Sequence, residues 1–522
     1  MKDASTGIGL EAAAVKADAF RAATGLLTAI VAGVLAWLLD LWPPHEDEAL
    51  ALFVGRGSLG DVLHTVIAER GGAPLHFVIA WAVVHLGGGL TALRLVSLVF
   101  AVASVPLMAL LGARLTDRTT GVVAAAFASA SWVFLFHGIF ARMYSLFLFA
   151  SLLSFLALLA RRYVLWGLAL LLLLASHPYA VLVVAAQALF VVVRVRDRRA
   201  FLTLGAVAVA GFPFWWADVV LRNRFDVGIG GGGRRLGSPT SVLRYLWSVS
   251  GDFGSHAHGW AVALLLLAAA GAVLLVRRHP TAAVLTGCVV VVPALAFMLA
   301  TLHSTTSPEA RHLIFALPFY SVLLALPLVT LARAGLPYAA VALAVGVLVV
   351  VTEVRWAHTK TPELLDGDPA GEAHARDAAA AWLASTSRRD DVLLGYEPVF
   401  LRAWEQHRSF SEQVLPRADP ELFADALKGL RRPLGRGVWV FDASDTTNAK
   451  QRSTIRFVLP EPASEFEGRT YGPYLVIRTR EPVRTPLRYI ALAKRVLRVG
   501  RSLQINDADV NLHTVLVAQS RF

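Results

Sequence analysis

The chain has 522 residues, 56% hydrophobic and only 16% charged, where soluble globular proteins carry about 25% charged residues. That deficit excludes an ordinary water-soluble protein and points to a surface that largely faces lipid. The formal net charge of +12 does not read as nucleic-acid binding, because the basic residues sit in short turns between apolar runs, the pattern that orients membrane proteins. The single cysteine, Cys288, excludes an intrachain disulfide.

Apolar runs long enough for membrane helices are expected at 23–42, 94–113, 120–137, 143–160, 163–176, 178–193, 200–220, 259–276, 281–302, 312–332 and 336–353. The first is read as a retained anchor, since no small-residue cleavage site precedes it. A further stretch, Leu75 to Leu90, reaches only about 24 Å as a helix. If it does not cross and the N-terminus is cytoplasmic, then Arg114 and Arg118, Arg161 and Arg162, Arg194 to Arg199, Arg277 and Arg278, and Arg333 all fall inside. That is the positive-inside arrangement at five successive turns. This stretch is therefore expected along the outer face, and the long loops 43–93 and 221–258 are expected outside.

Near Arg355 the composition turns to that of a soluble protein. The chain is thus read as a membrane module, 1–353, and an extracytoplasmic domain, 354–522. In the latter, Asp390–Tyr396, Trp439–Phe441 and Tyr474–Arg478 read as strands, with helices near 372–385, 398–406, 420–428, 446–456 and 484–497. Alternating strands and helices predict a small α/β fold. Asp442, Asp445 and Glu397 fall at strand ends and read as solvated turn residues.

No Asp, Glu, Lys or Arg lies near the middle of an expected span, which disfavours ion-coupled transport. Polar residues instead collect at the outer ends, among them His45-Glu46-Asp47-Glu48, Asp61, Glu69, His137, Arg142, His177, His303, Glu309, Arg311 and His312. Three consecutive acids after a span can be the start of a helix, since acids favour N-termini. They can equally supply a base that takes a proton from an attacking hydroxyl. Arg142 and Arg311, at outer span ends, can hold a phosphate with their planar forks or simply snorkel to lipid headgroups. The glycine-rich run Gly228–Gly233 with Arg234-Arg235 reads as a flap over the site, as it lacks the context of a phosphate-cradling loop.

Several of these segments recur together in one known family. Asp47-Glu48 follows the first span, then comes Ser58-Leu59 to Arg70, then Gly72-Ala73-Pro74-Leu75-His76-Phe77. Leu93-Arg94-Leu95 opens the second span and Gly112-Ala113-Arg114-Leu115-Thr116-Asp117-Arg118 follows it. Phe140-Ala141-Arg142-Met143-Tyr144, Ser176-His177-Pro178-Tyr179 and Glu309-Ala310-Arg311-His312-Leu313 complete the set. In this order the segments resemble the GT-C glycosyltransferases, which include protein O-mannosyltransferases and lipid A aminoarabinose transferases. The likeness covers roughly residues 24–335.

The resemblance implies a polytopic bundle of about eleven transmembrane helices in the plasma membrane. It implies transfer of sugar from a polyprenyl-phosphate donor to an extracytoplasmic glycan, lipid or protein acceptor, with inversion. By the same likeness Asp47 and Glu48 are the catalytic carboxylates, Asp47 as general base, and Arg311, Arg142, His312, His177 and His303 hold the donor phosphate. Many relatives have a Glu where this chain has Phe140. A divalent ion wants several oxygen ligands, and only Asp47 and Glu48 are placed, so no metal or other cofactor is assigned. The competing readings are a transporter or flippase of a glycolipid, with no chemical conversion, and a non-catalytic scaffold.

Overall fold

In the computed structural model, residues 3–224, 236–301, 308–407, 410–411, 413–417, 419–446 and 458–522 are described. The run Gly228–Gly233, His303 and most of the expected helix 446–456 lie outside them.

Close packing divides the chain into two units. The first comprises residues 1–42, 63–79 and 91–367. The second comprises 43–62, 80–90 and 368–522, so part of the loop after the first helix packs with the C-terminal fold.

The first unit is helical. Among the described residues, six helices are long and apolar enough to cross a bilayer: Asp18–Leu38, Leu90–Leu115, Trp260–Arg278, Pro280–Ala300, Ala310–Ala332 and Leu336–Lys360. Two bent pairs add Arg118–Ala130 with Trp132–Ile139, and Arg198–Ala210 with Phe212–Leu221, at 67° and 56°. Shorter apolar helices cover Tyr144–Leu159, Tyr163–Ser176 and Ala180–Val195. Together they fall on each expected span. Leu75–His85 is a further apolar helix of 11 residues, about 16 Å long.

Small residues let helices approach closely, as in other membrane bundles. A Cβ on Gly121 would collide with the Ala109 carbonyl, and one on Gly271 with that of Leu323. Polar side chains tie three short helices together: Gln187 accepts from Trp166 Nε1 and donates to Ser154 Oγ at 2.6 Å. Arg94 is buried and donates to the carbonyls of Leu39 at 3.1 Å and Trp42 at 2.8 Å. It thereby satisfies and charge-complements the C-terminal end of the first helix.

The basic turns meet at one end of this bundle. Arg333 forks onto Asp117 at 2.7 and 3.2 Å, Arg278 reaches Thr330 at 3.2 Å, Arg194 reaches Thr281 at 3.1 Å, and Tyr163 donates to Asp197 at 2.8 Å. One expectation is corrected. The last helix runs on to Lys360, so Glu353 lies well inside it rather than at its end. Its carboxylate is fully buried and has no hydrogen-bond partner.

The second unit is built on a four-stranded sheet, β1 (Val392–Gly395), β2 (Gly437–Asp442), β3 (Phe466–Tyr471) and β4 (Tyr474–Thr479), in the order β1-β2-β4-β3. β1 and β2 are parallel, and the other pairs are antiparallel. Gly395 has φ +123°, and a Cβ there would meet the Val440 carbonyl, so the chain can leave β1 only through glycine. Trp439, Phe441, Leu475, Ile477, Tyr489 and Leu512 form the core between the sheet and the helices Pro486–Ser502 and Asn506–Ala518.

Candidate active site

The acids of the first outer loop form a helix start. His45 caps Glu46–Val54: its Nδ1 accepts from the Asp47 backbone N–H at 3.1 Å, and the Glu48 carboxylate accepts from the His45 N–H at 3.0 Å. This is a reciprocal capping box with histidine as the cap. Glu48 is fully buried in that role. Asp47 is half-buried, in the first turn, where the helix dipole favours its negative charge.

These residues belong to the second unit, and so does their neighbour Glu46. Arg417 donates to Glu46 at 2.6 Å, to Glu397 at 2.7 Å and to Asp507 at 2.7 Å. Burial drives the carboxyls of Glu46 and Glu397 upward, crowding among the three acids adds to this, and Arg417 opposes it. Glu397, expected as a solvated turn residue, is buried in this network. Asp442 is also held above the usual carboxylate range by burial, although Ser444 donates to it. No local sequence pattern announces the network, because its members come from four distant segments.

The first unit gathers the expected phosphate-binding residues at the end of the bundle away from the basic turns. Glu309 and His312 form a second capping box, in which the Glu309 N–H donates to His312 Nδ1 at 2.9 Å. The Glu309 carboxylate also receives Arg311 at 2.7 Å, and Tyr245 donates to the Glu309 carbonyl at 3.0 Å. The Tyr179 ring lies flat on His312, with centroids 4.5 Å apart. His177 accepts from the Tyr179 N–H through Nδ1 at 3.0 Å and stacks on Phe147 at 4.5 Å. Arg142 and Arg311 are its charge neighbours.

Both imidazoles accept at Nδ1, so in their neutral forms the proton sits on Nε2. Each therefore presents an N–H. Two guanidinium groups and two imidazole N–H groups, with tyrosine rings around them, form a set of donors suited to an anion with several oxygens.

Beside them is a histidine that the sequence placed among the outer polar residues without a role. His137 is buried, and neither ring nitrogen has a hydrogen-bond partner. It sits among Trp132, Phe136, Phe140 and Tyr144, with ring centroids 4.6 to 5.9 Å away. Phe140 is a wall of this cage. Among the described residues no three His, Cys, Asp or Glu side chains are grouped to hold a metal ion.

Arg142, His177, Arg311 and His312 thus come together, while Asp47 and Glu48 share a helix in the second unit. His303 is outside the described residues.

No family model matches the sequence, and no curated protein does. Solved structures do. ArnT from Cupriavidus metallidurans in the apo state is 17% identical with a TM-score of 0.53, the alignment covering 88% of this chain and 98% of that one. ArnT from the same organism bound to undecaprenyl phosphate is 16% identical at TM-score 0.53, over 87% and 97%. The archaeal oligosaccharyltransferase AglB from Archaeoglobus fulgidus, with an inhibitory peptide and a dolichol-phosphate, is 12% identical at 0.48, over 81% and 69%. Near-complete coverage of ArnT in both directions identifies the architecture: the chain has the GT-C fold.

Proposed function

We propose that this protein is a glycosyltransferase of the cell membrane that moves a sugar from a polyprenyl-phosphate carrier to an extracytoplasmic acceptor. The observation that carries the reading is the group formed by Arg142, His177, Arg311 and His312 at one end of an apolar bundle. Its support from fold is the likeness to ArnT, one of whose structures holds undecaprenyl phosphate.

In the step proposed, the acceptor oxygen attacks the anomeric carbon and the bond from that carbon to the phosphate oxygen breaks. The configuration inverts. The hydroxyl proton passes to the Asp47 carboxylate, and the polyprenyl phosphate leaves with the extra negative charge. Charge on the phosphate grows as the sugar departs, so nearby guanidinium groups stabilise the transition state more than the ground state. Glu48 is proposed chiefly to fix the helix that carries Asp47. The N-terminus is placed in the cytoplasm, residues 354–522 outside, and the outer domain is given a part in acceptor binding.

Buried Glu353 favours one second reading, transport, since ionisable groups within spans often mark transport paths. The two are separated by Asp47→Asn in proteoliposomes, assayed with radiolabelled undecaprenyl-phosphate sugars and membrane acceptors. Transfer should fall by about 10²–10⁴ while undecaprenyl phosphate still binds. Unchanged transfer would remove the base, and movement of intact glycolipid across the bilayer without transfer would favour transport.

A further inference from the structure

The helix that carries Asp47 is gripped from both ends by the C-terminal fold. At its start, the Arg417 guanidinium uses three different nitrogens on three carboxylates: Nη2 on Glu46 at 2.6 Å, Nε on Glu397 at 2.7 Å and Nη1 on Asp507 at 2.7 Å. Glu46 opens the Glu46–Val54 helix, Glu397 opens Glu397–Gln406, and Asp507 is in the first turn of Asn506–Ala518. Three helix N-termini therefore converge on one guanidinium. Their dipoles add positive potential, which explains how three acids share a single cation. The Arg417 side chain is only 19% exposed and that of Glu397 6%, so water screens these pairs weakly.

At the far end, Arg56 lies 3.8 Å from the centroid of the Trp404 ring, stacked on the same Glu397–Gln406 helix. Between the two ends, the Gly55 backbone is so close to Ala80 and Trp81 that a Cβ would come within 3.0 Å of their main chain. The short helix has no freedom to roll about its axis without breaking one of these contacts.

We propose that Arg417 is a positioning residue for Asp47. By fixing Glu46, one residue before Asp47, it sets the orientation of the proposed base, so the outer domain governs the chemical step as well as any acceptor contact. This rests on the reading of Asp47 as the base. Arg417 reaches substrate only through that carboxylate, so its loss acts on turnover rather than donor affinity.

The test uses the full-length protein in nanodiscs, comparing Arg417→Ala, Arg417→Lys and Glu46→Ala with wild type. Hydrogen exchange at pH 7 is read over residues 44–57 and over strand β2. Transfer is assayed with the radiolabelled undecaprenyl-phosphate sugars and membrane acceptors used above. Arg417→Ala should speed exchange over 44–57, leave β2 protected, and lower kcat by about 10–100-fold with the donor KM unchanged. Lys restores one charge but not three directed bonds, so it should rescue only part of kcat. Glu46→Ala removes the carboxyl that Arg417 holds and should show the same pattern, more weakly, if Arg417→Ala fails to fold. Wild-type exchange over 44–57 in Arg417→Ala and Glu46→Ala would overturn the proposal, and so would faster exchange with unchanged kcat. Full transfer by Asp47→Asn would instead defeat the base reading and leave the exchange result standing.

Discussion

Arg311 bonds the Glu309 carboxylate at 2.7 Å through Nη2 and lies 5.3 Å from the Tyr144 ring centroid. Glu309 at the same time accepts from the backbone of its own helix start, so the guanidinium is held in one orientation before any ligand arrives. Such preorganisation lowers the ordering cost of binding. Arg311→Ala should therefore weaken binding of undecaprenyl phosphate by about 10–100-fold, the worth of a charged hydrogen-bond pair. Arg311→Lys should recover part of this. Affinity measured on the detergent-solubilised protein decides it, and unchanged affinity would refute the assignment.

Glu353 is fully buried with both carboxylate oxygens unpartnered. A buried acid without hydrogen bonds costs stability. Glu353→Gln should be tolerated, and Glu353→Leu should raise the thermal midpoint, by about 1–3 kcal/mol of added stability. If either variant abolishes transfer without changing the midpoint, Glu353 has a functional part.

The Arg417 network titrates. Glu46 is pushed up to about 9 and Glu397 to about 7, chiefly by burial. The charged and titratable groups facing them are Arg417, Asp507, Tyr396 and Asp442. An acid with a raised folded pKa favours the fold while protonated, so its contribution is present at low pH and lost as pH rises through the shifted value. Thermal unfolding followed by tryptophan fluorescence should show the midpoint falling by about 3–6 °C between pH 7 and 9. Glu46→Gln should flatten that slope, and a flat wild-type profile would contradict the shifts.

Orientation is open to direct labelling. With Cys288 replaced, single cysteines at Gly57, Arg118 and Ser444 should react with an impermeant reagent outside, inside and outside respectively. Labelling of position 118 from outside would invert the proposed topology. The meeting of the basic turns through Asp117–Arg333 and Arg278–Thr330 is what leads us to expect one shared side.

The sequence displayed the bundle because each span is an unbroken apolar run. It hid the break at Ser131, where a serine caps the next helix and bends the pair by 67° with no proline nearby. The other bend was foreshadowed by Gly211 and Pro213. β1, β2 and β4 were visible as buried apolar runs. β3 was not, since Phe466–Tyr471 is an edge strand with a single buried residue and lacks the alternation that marks a strand. Arg311, His312 and His177 stood out in the sequence because charged and imidazole groups at span ends are conspicuous. The hydrogen bonds that fix their tautomers depend on backbone geometry and could not be seen. Arg417 was invisible for a different reason: its partners Glu46, Glu397 and Asp507 meet only once the chain has folded.

Residues 43–62 and 80–90 complete a fold whose remaining segments begin at Asp368. In the proposed orientation these early segments are translocated first and wait, incomplete, until the later spans have been inserted and residues 368–522 have followed. That unit is thus assembled from segments made far apart in time. A ribosome stalled before the tail would leave the Asp47 helix on the far side of the membrane without its scaffold.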